Sequence, residues 1–405
     1  IAFPSSFTEK EIKLNGNILI KPSVQQKFDH VMQSGRILFF SAPCGFGKTV
    51  VANALLRKWR TLCLRADAPD FSLQALPDEW DILLIDDFQL LQEQETSQTL
   101  CELIRANPAR RFVFLSRGVP PAYLTAFQYT GLMTTLEPDD LLFDHEDIRN
   151  FFASCKVAVT ESEINGILKE SIGYPLGVAI TARQMSDGKP FSPELTAHTY
   201  REVFAYFEAA VYNRFDLPVR RLLLELSLFE DFDMEMVRMV SGDPRAGERM
   251  DWLLRHTTML RYDSRERFHF WAGFRAFLLW EMDREYTEEK RKALFSRGGL
   301  YYELKEDYAH ALECYTQGGD HTRVAELLVR NADLHPGMGH YLLAQYFRRG
   351  QPDFVRWGNA DRHQLYECYA RQHAEPLLAV CRYRQGNLCR QVRQCRPDSG
   401  PCQEP

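Results

Sequence analysis

The chain has no apolar run approaching the roughly 20 residues that a bilayer-spanning helix needs. It has no basic stretch followed by apolar residues at its start either, so Ile1-Ala-Phe-Pro4 is not a secretory signal. Without an initiator Met, the sequence reads as a trimmed piece. It also lacks a strong charge of either sign. The formal net charge of −6 offers no basic field for nucleic acid, and no cationic amphipathic segment suits a membrane surface. Paired cysteines are missing as well. Of the ten present, Cys44, Cys63, Cys101, Cys155, Cys314 and Cys368 are scattered singly through apparent helices and strands. That usage fits reduced thiols and a cytoplasmic location rather than a disulfide framework.

What remains is an ordinary globular composition over 405 residues, enough for two to four domains at about 100–200 residues each. The first 135 residues read as an α/β unit. Ile37–Ser41, Thr61–Arg65, Asp81–Asp86 and Arg111–Ser116 are short apolar runs of the buried-strand type. Thr49–Trp59 and Glu95–Ala106 between them read as helices. Such alternation predicts a parallel sheet with helices on both faces. Residues 136–199 read as a helical lid, broken at Gly173-Tyr174-Pro175. Residues 200–285 run helix, helix and then a hairpin over 258–270 turning at Asp263-Ser264, which is the order of a winged-helix domain. From 286 to 357 come helical pairs with small packing residues, resembling the start of a tetratricopeptide-like arm. The periodicity then decays, and 358–405 reads as an irregular Cys- and Arg-rich tail without the tight paired spacing of zinc modules.

The sharpest motif is Ala42-Pro43-Cys44-Gly45-Phe46-Gly47-Lys48-Thr49, followed by Val50. It fits the P-loop pattern, with Ala42 in place of the first Gly. Glycines let the backbone turn so that amides point at phosphates, and the following helix adds its positive end. Lys48 sets a charge at the β- and γ-phosphates, and the Thr49 hydroxyl suits magnesium. A strand before the loop and a helix after it make a plain glycine turn the weaker reading.

Ile82-Leu-Leu-Ile-Asp86-Asp87 is the second element. Alone, an apolar run ending in two carboxylates marks only a strand end; roughly 35–40 residues after a P-loop it reads as a Walker B strand. Asp86 would hold magnesium, and Asp87 would orient or deprotonate the attacking water. In Phe112-Val-Phe-Leu-Ser116-Arg117 a strand ends in a polar pair, so Arg117 is a candidate γ-phosphate sensor. The candidate catalytic set is thus Asp87, Lys48 and Arg117. The expected ligands are ATP or ADP with Mg2+, on Pro43 to Val50, with Thr49 and Asp86 toward the metal.

Taken together, these residues resemble the signal-transducing STAND ATPases, and more narrowly the MalT-like, large LuxR-type transcriptional regulators. The loop is similar to that group's Ala/Ser-Pro-Ala-Gly-Tyr-Gly-Lys-Thr. Leu84 to Leu91 is similar to its Asp-Asp-Tyr-His segment, with Gln89 in place of the common His. Leu115-Ser-Arg-Gly-Val-Pro-Pro121, Asp140-Leu-Leu-Phe143 with Phe151-Phe152, Gly173-Tyr-Pro-Leu-Gly177 and Leu217 to Ser227 each match a further segment. The resemblance covers about residues 5 to 335. It implies a switch in which ADP holds a closed monomer, an inducer permits exchange to ATP, and the ATP form self-associates and hydrolyses slowly. It also implies that Pro175 packs on the adenine, although a plain helix break accounts for this proline as well. DNA would be reached only through a C-terminal helix-turn-helix, which is missing from this chain. A STAND ATPase with a defence or signalling effector, and an AAA-type motor, are the alternatives.

One position departs from the group. A His that reaches the β-phosphate is often found in the winged-helix domain. Alignment on Phe274-Arg-Ala-Phe-Leu278 puts Trp271 there, with His269 two residues earlier. Either a phosphate contact has been lost, or Trp271 is a buried aromatic anchoring the hairpin. His269 reads as an ordinary hairpin residue.

Overall fold

The computed structural model describes residues 18–330, apart from 75 and 92. The last part of the expected repeat arm and the whole of the 358–405 tail lie outside the described residues.

The chain opens with α1 (Pro22–Gln33), β1 (Ile37–Ser41), α2 (Lys48–Leu55), β2 (Thr61–Arg65), β3 (Ile82–Asp86), α3 (Gln94–Ala106), β4 (Arg111–Ser116), α4 (Thr125–Tyr129) and β5 (Met133–Leu136). The five strands form one sheet in the order β2-β3-β4-β1-β5, and every pairing is parallel. Every residue of β1 is buried, as expected of a strand covered on both faces. Phe39, Phe88 and Phe114 pack ring to ring across it, backed by Leu83, Leu100 and Ile104. This is the α/β P-loop NTPase fold. The helix expected over Thr49–Trp59 stops at Leu55, and β5 was not foreseen because Met-Thr-Thr-Leu is short and only half apolar. Its pairing with β1 is what makes it a strand.

A helical layer follows: α5 (Pro138–Leu141), α6 (His145–Ser154), α7 (Glu161–Ser171), α8 (Pro175–Ser186) and α9 (Pro193–Ala210). Local chemistry sets the helix starts. Asp144 and Asp147 form a capping box on α6, and Thr160 and Glu163 form one on α7. Each satisfies backbone amides that the first turn cannot pair. The apolar faces of α6, α7 and α8 meet over Ile148, Phe152, Ile164, Ile167 and Val178.

Next come α10 (Leu217–Ser227), β6 (Asp231–Phe232), α11 (Met234–Ser241), α12 (Ala246–His256), β7 (Leu260–Tyr262), β8 (Phe268–Phe270) and α13 (Ala272–Glu285). The strands form an antiparallel sheet in the order β6-β8-β7. The hairpin expected over 258–270 is β7–β8, while the two-residue β6 carries no periodicity that a sequence could show. Three further helices are α14 (Glu288–Leu304), α15 (Tyr308–Gly318) and α16 (His321–Arg330).

The chain divides into two compact units. One runs to Phe232 and includes Arg245–Trp280; the other takes Asp233–Pro244 and the residues from Glu281 onward. The expected winged-helix span of 200–285 is therefore shared between them. In the second unit, Tyr301 donates to Asp233 at 2.5 Å, and the Arg297 guanidinium donates to the Val240 carbonyl at 2.8 Å. Among the described residues, no helix is long and apolar enough to cross a membrane.

Candidate nucleotide-binding site

The candidate phosphate-binding loop leaves the buried end of β1 and runs into α2. Gly45 and Gly47 both adopt left-handed backbone, at φ 75° and 76°. Side chains disfavour that region, so these two positions let the chain curl. Lys48 is the first residue of α2 and is buried. Its ammonium donates to the carbonyl oxygens of Ala42 at 2.7 Å and Pro43 at 2.8 Å. Burial, reinforced by the charge of Arg117, brings the Lys48 amine down to about 8 against the opposing pull of Cys44, Asp86 and Asp87.

Sheet order positions the remaining groups. Because β4 lies between β1 and β3, its C-terminal end falls between the loop and the paired carboxylates. The Thr49 hydroxyl donates to an Asp86 oxygen at 3.2 Å, bringing together the two expected metal-facing groups. Together with the loop amides and a lysine ammonium, this pair suits a magnesium–nucleotide. Asp87 is itself in left-handed backbone at φ 52°. Its carboxylate pairs with Arg117 at 3.2 Å and accepts from the Gln89 amide at 2.9 Å. Burial alone would push the Asp87 carboxyl up; the charge of Arg117 and the Gln89 hydrogen bond outweigh it and hold the group below the usual range. A carboxylate held this way suits orienting a water better than taking its proton.

Arg117 connects the site to the segments that follow. Its guanidinium also donates to the Ala210 carbonyl, at the end of α9, at 2.9 Å. Its backbone amide donates to the Gln89 side chain at 2.9 Å, and its carbonyl accepts from the Thr258 amide at 2.8 Å and hydroxyl at 3.1 Å. A helix C-terminus carries negative partial charge, so a cation is favoured there. In this arrangement Arg117 is committed to Asp87 and α9.

The other expected residues also gather here. Pro175 is buried at the first position of α8, where its fixed φ suits a helix start. The next amide, that of Leu176, donates to the Gly45 carbonyl at 3.2 Å. Cys44 is buried, its thiol pushed up by burial against the pull of Arg117 and Lys48. Val50 faces outward on α2. Phe46 is only 1% exposed and packs on Tyr174 and Trp271, with ring centroids 5.3 and 5.4 Å apart. Position 271 thus reaches the phosphate loop, but as an aromatic ring inside an aromatic cluster, which favours the anchoring reading. His269 lies on β8, opposite Asp231 and Arg261.

Sequence reasoning missed four groups. The Tyr174 hydroxyl donates to the Cys44 carbonyl at 3.0 Å. Burial raises the pKa of the Tyr206 phenol, which interacts electrostatically with Cys44 and Arg117. Arg214 acts electrostatically on Cys44 and Asp87. Thr258 holds the Arg117 carbonyl. Only Tyr174 lay inside a legible motif; the others approach through the fold. Among the described residues, no group of three or more His, Cys, Asp or Glu forms a metal cluster.

The fold is that of the P-loop NTPase class, followed by a layer of helices and a three-stranded antiparallel sheet flanked by helices. The match to known proteins is more specific. Residues 208–290 match the family model of the MalT winged helix domain. The chain is 23% identical over 215 residues to the HTH-type transcriptional regulator MalT of Serratia proteamaculans, a match covering 50% of this chain and 24% of that protein. The chain therefore spans about a quarter of the length of this curated relative. Among solved structures, a Walker-type ATPase of Pyrococcus abyssi aligns with a TM-score of 0.50 at 12% identity, covering 65% of this chain and 96% of that one. A STAND protein with a tetratricopeptide repeat sensor from Pyrococcus horikoshii aligns at 12% identity over 92% of this chain and 59% of that one, with a TM-score of 0.36. The likeness to MalT-like STAND P-loop ATPases read from the sequence is supported by the family model and the curated relative.

Proposed function

We propose that this chain is the ATP- and ADP-binding switch module of a MalT-like transcriptional regulator. The observation that carries the reading is the convergence of Lys48, Thr49 and Asp86 around one glycine-bearing loop, with Thr49 and Asp86 3.2 Å apart. Lys48 would exchange the Ala42 and Pro43 carbonyls for phosphate oxygens, and the loop amides would cradle the same phosphates. Bound magnesium would neutralise phosphate charge between Thr49 and Asp86. Asp87 would orient the attacking water once Arg117 turns from it toward the terminal phosphate. Pro175, at the head of α8 beside the loop, would contact the base.

Slow hydrolysis fits this arrangement, because Asp87 is held ionised and already paired. Arg117 also ties Asp87 to α9, which gives occupancy of the site a route to the segments beyond it. In this reading the ATP form self-associates in the cytoplasm under control of an inducer. DNA is contacted through a separate C-terminal domain rather than through the described residues.

Equilibrium titration with fluorescent ADP and ATP tests the proposal. Lys48→Ala should abolish binding, because removing the ammonium leaves the phosphates held by amides alone. Undiminished affinity in that variant would show that the loop is not the site.

A further inference from the structure

Four aromatic rings from four separate segments meet behind the phosphate loop. Phe46 lies between the two loop glycines, Tyr174 precedes α8, Phe207 is on α9, and Trp271 follows β8. Trp271 lies 4.7 Å from Tyr174, 5.4 Å from Phe46 and 6.1 Å from Phe207, centroid to centroid. Tyr174 closes the group at 5.3 Å from Phe46 and 5.8 Å from Phe207. The four are between 0% and 8% exposed. Backbone bonds fix the partners in place. The Trp271 amide donates to the Met259 carbonyl at 2.8 Å, and the Tyr174 hydroxyl holds the Cys44 carbonyl at 3.0 Å.

The loop that these rings hold is one in which Lys48 is satisfied by the loop's own carbonyls. Two of the three ammonium N–H groups are given to those carbonyls, so a phosphate that takes more than the third displaces them. Any shift of the backbone around Gly45 and Gly47 that goes with this moves Phe46 too. Phe46 is therefore the handle through which a distant ring can resist the change.

We propose that Trp271 is a positioning residue of the phosphate loop, acting through Phe46 to hold the lysine-satisfied arrangement by apolar contact alone. The proposal rests on the loop being the nucleotide site. Its distinguishing content is that a ring against a ring does not read phosphate number. Trp271 therefore weighs against ADP and ATP equally, where a polar residue at that position would discriminate between them. A single aromatic pair of this kind corresponds to about a two- to tenfold effect on affinity. The apparent affinity falls by the fraction of molecules in the receptive state.

The test is a double-mutant cycle on fluorescent ADP and ATP affinities, using Trp271→Leu, Phe46→Leu and the double variant, with melting temperatures recorded. Trp271→Phe serves as the ring-preserving control. Each Leu variant should bind both nucleotides about two- to tenfold more tightly, with the ADP/ATP ratio unchanged. The double variant should gain less than the product of the two single gains, and Trp271→Phe should stay near wild type. A ratio shifted by more than about threefold would overturn the proposal, and so would fully multiplicative single effects or weakened binding. If Trp271→Leu does not fold, Phe46→Leu against wild type reads the same contact from the loop side, and equal affinities there would also overturn it. Wild-type protein that binds neither nucleotide would instead sink the underlying assignment of the loop.

Discussion

Gly45 and Gly47 have nearly the same backbone conformation but different surroundings, so alanine at each separates backbone strain from steric conflict. At Gly47, φ is 76° and a Cβ would meet nothing within 4 Å. Alanine there should cost only the left-handed penalty, about 1–2 kcal/mol. At Gly45, φ is 75°, but a Cβ would lie 1.8 Å from the Tyr174 hydroxyl oxygen and 2.7 Å from its Cζ. Tyr174 cannot simply withdraw, because its ring is wedged against Phe46, Phe207 and Trp271. Relieving the clash would break its hydrogen bond to Cys44, about 1–3 kcal/mol with the carbonyl left buried. It would also force overpacking of about 1–3 kcal/mol. Gly45→Ala should therefore be about 2–4 kcal/mol more destabilising than Gly47→Ala, a large share of an ordinary domain's stability. Urea unfolding followed by tryptophan fluorescence measures both. Adding Tyr174→Phe removes the closest atom and should recover about 1 kcal/mol or more of the Gly45→Ala loss. Equal losses at the two glycines, or no recovery in the double variant, would refute the account of how the loop is held.

Three further outcomes follow from the site. Asp87→Asn keeps the shape of the side chain but gives up the ion pair with Arg117, so the variant should still bind ATP, hydrolyse it more slowly, and self-associate with ATP and magnesium. Light scattering checks this, and a strictly monomeric variant under saturating ATP would count against the switch. Thr49→Ala should remove most of the magnesium dependence of ATP affinity, seen by comparing titrations with magnesium and with a chelator; an unchanged dependence would move the metal elsewhere. Trp271→His should lower the melting temperature, because it replaces a large buried ring with a smaller polar one at about 2–4 kcal/mol. It should leave the ADP/ATP affinity ratio where it was, and a selective gain for ADP would revive the idea of a phosphate-reading residue at this position.

Much of the fold's first part was legible because its signals are local. Ile37–Ser41 and Ile82–Asp86 are continuous apolar runs, and such runs become central strands of a covered sheet. The capping pairs Thr160 with Glu163 and Asp144 with Asp147 are equally local, but the helical reading of 136–199 did not draw on them. By contrast, β5 and β6 carry little periodicity of their own and exist through their neighbours. The division of the winged-helix region between two compact units was also invisible, since no composition shift marks Asp233 or Glu281.

The same line runs through the site. By itself, the sequence determined the chemistry of the phosphate loop. The Gly, Lys and Thr spacing dictates a turn, a charge and a hydroxyl within one short segment, whatever packs around it. It also determined that an apolar strand ends in Asp86-Asp87. Only the tertiary structure decided what each group is doing. Parallel order with β4 between β1 and β3 brought Arg117 onto Asp87, and the end of α9 supplied the carbonyl that holds it there. Packing brought Tyr174, Tyr206 and Trp271, all more than a hundred residues away in sequence, against the loop. Contacts between segments so far apart depend on the relative placement of whole elements, which no local spacing encodes.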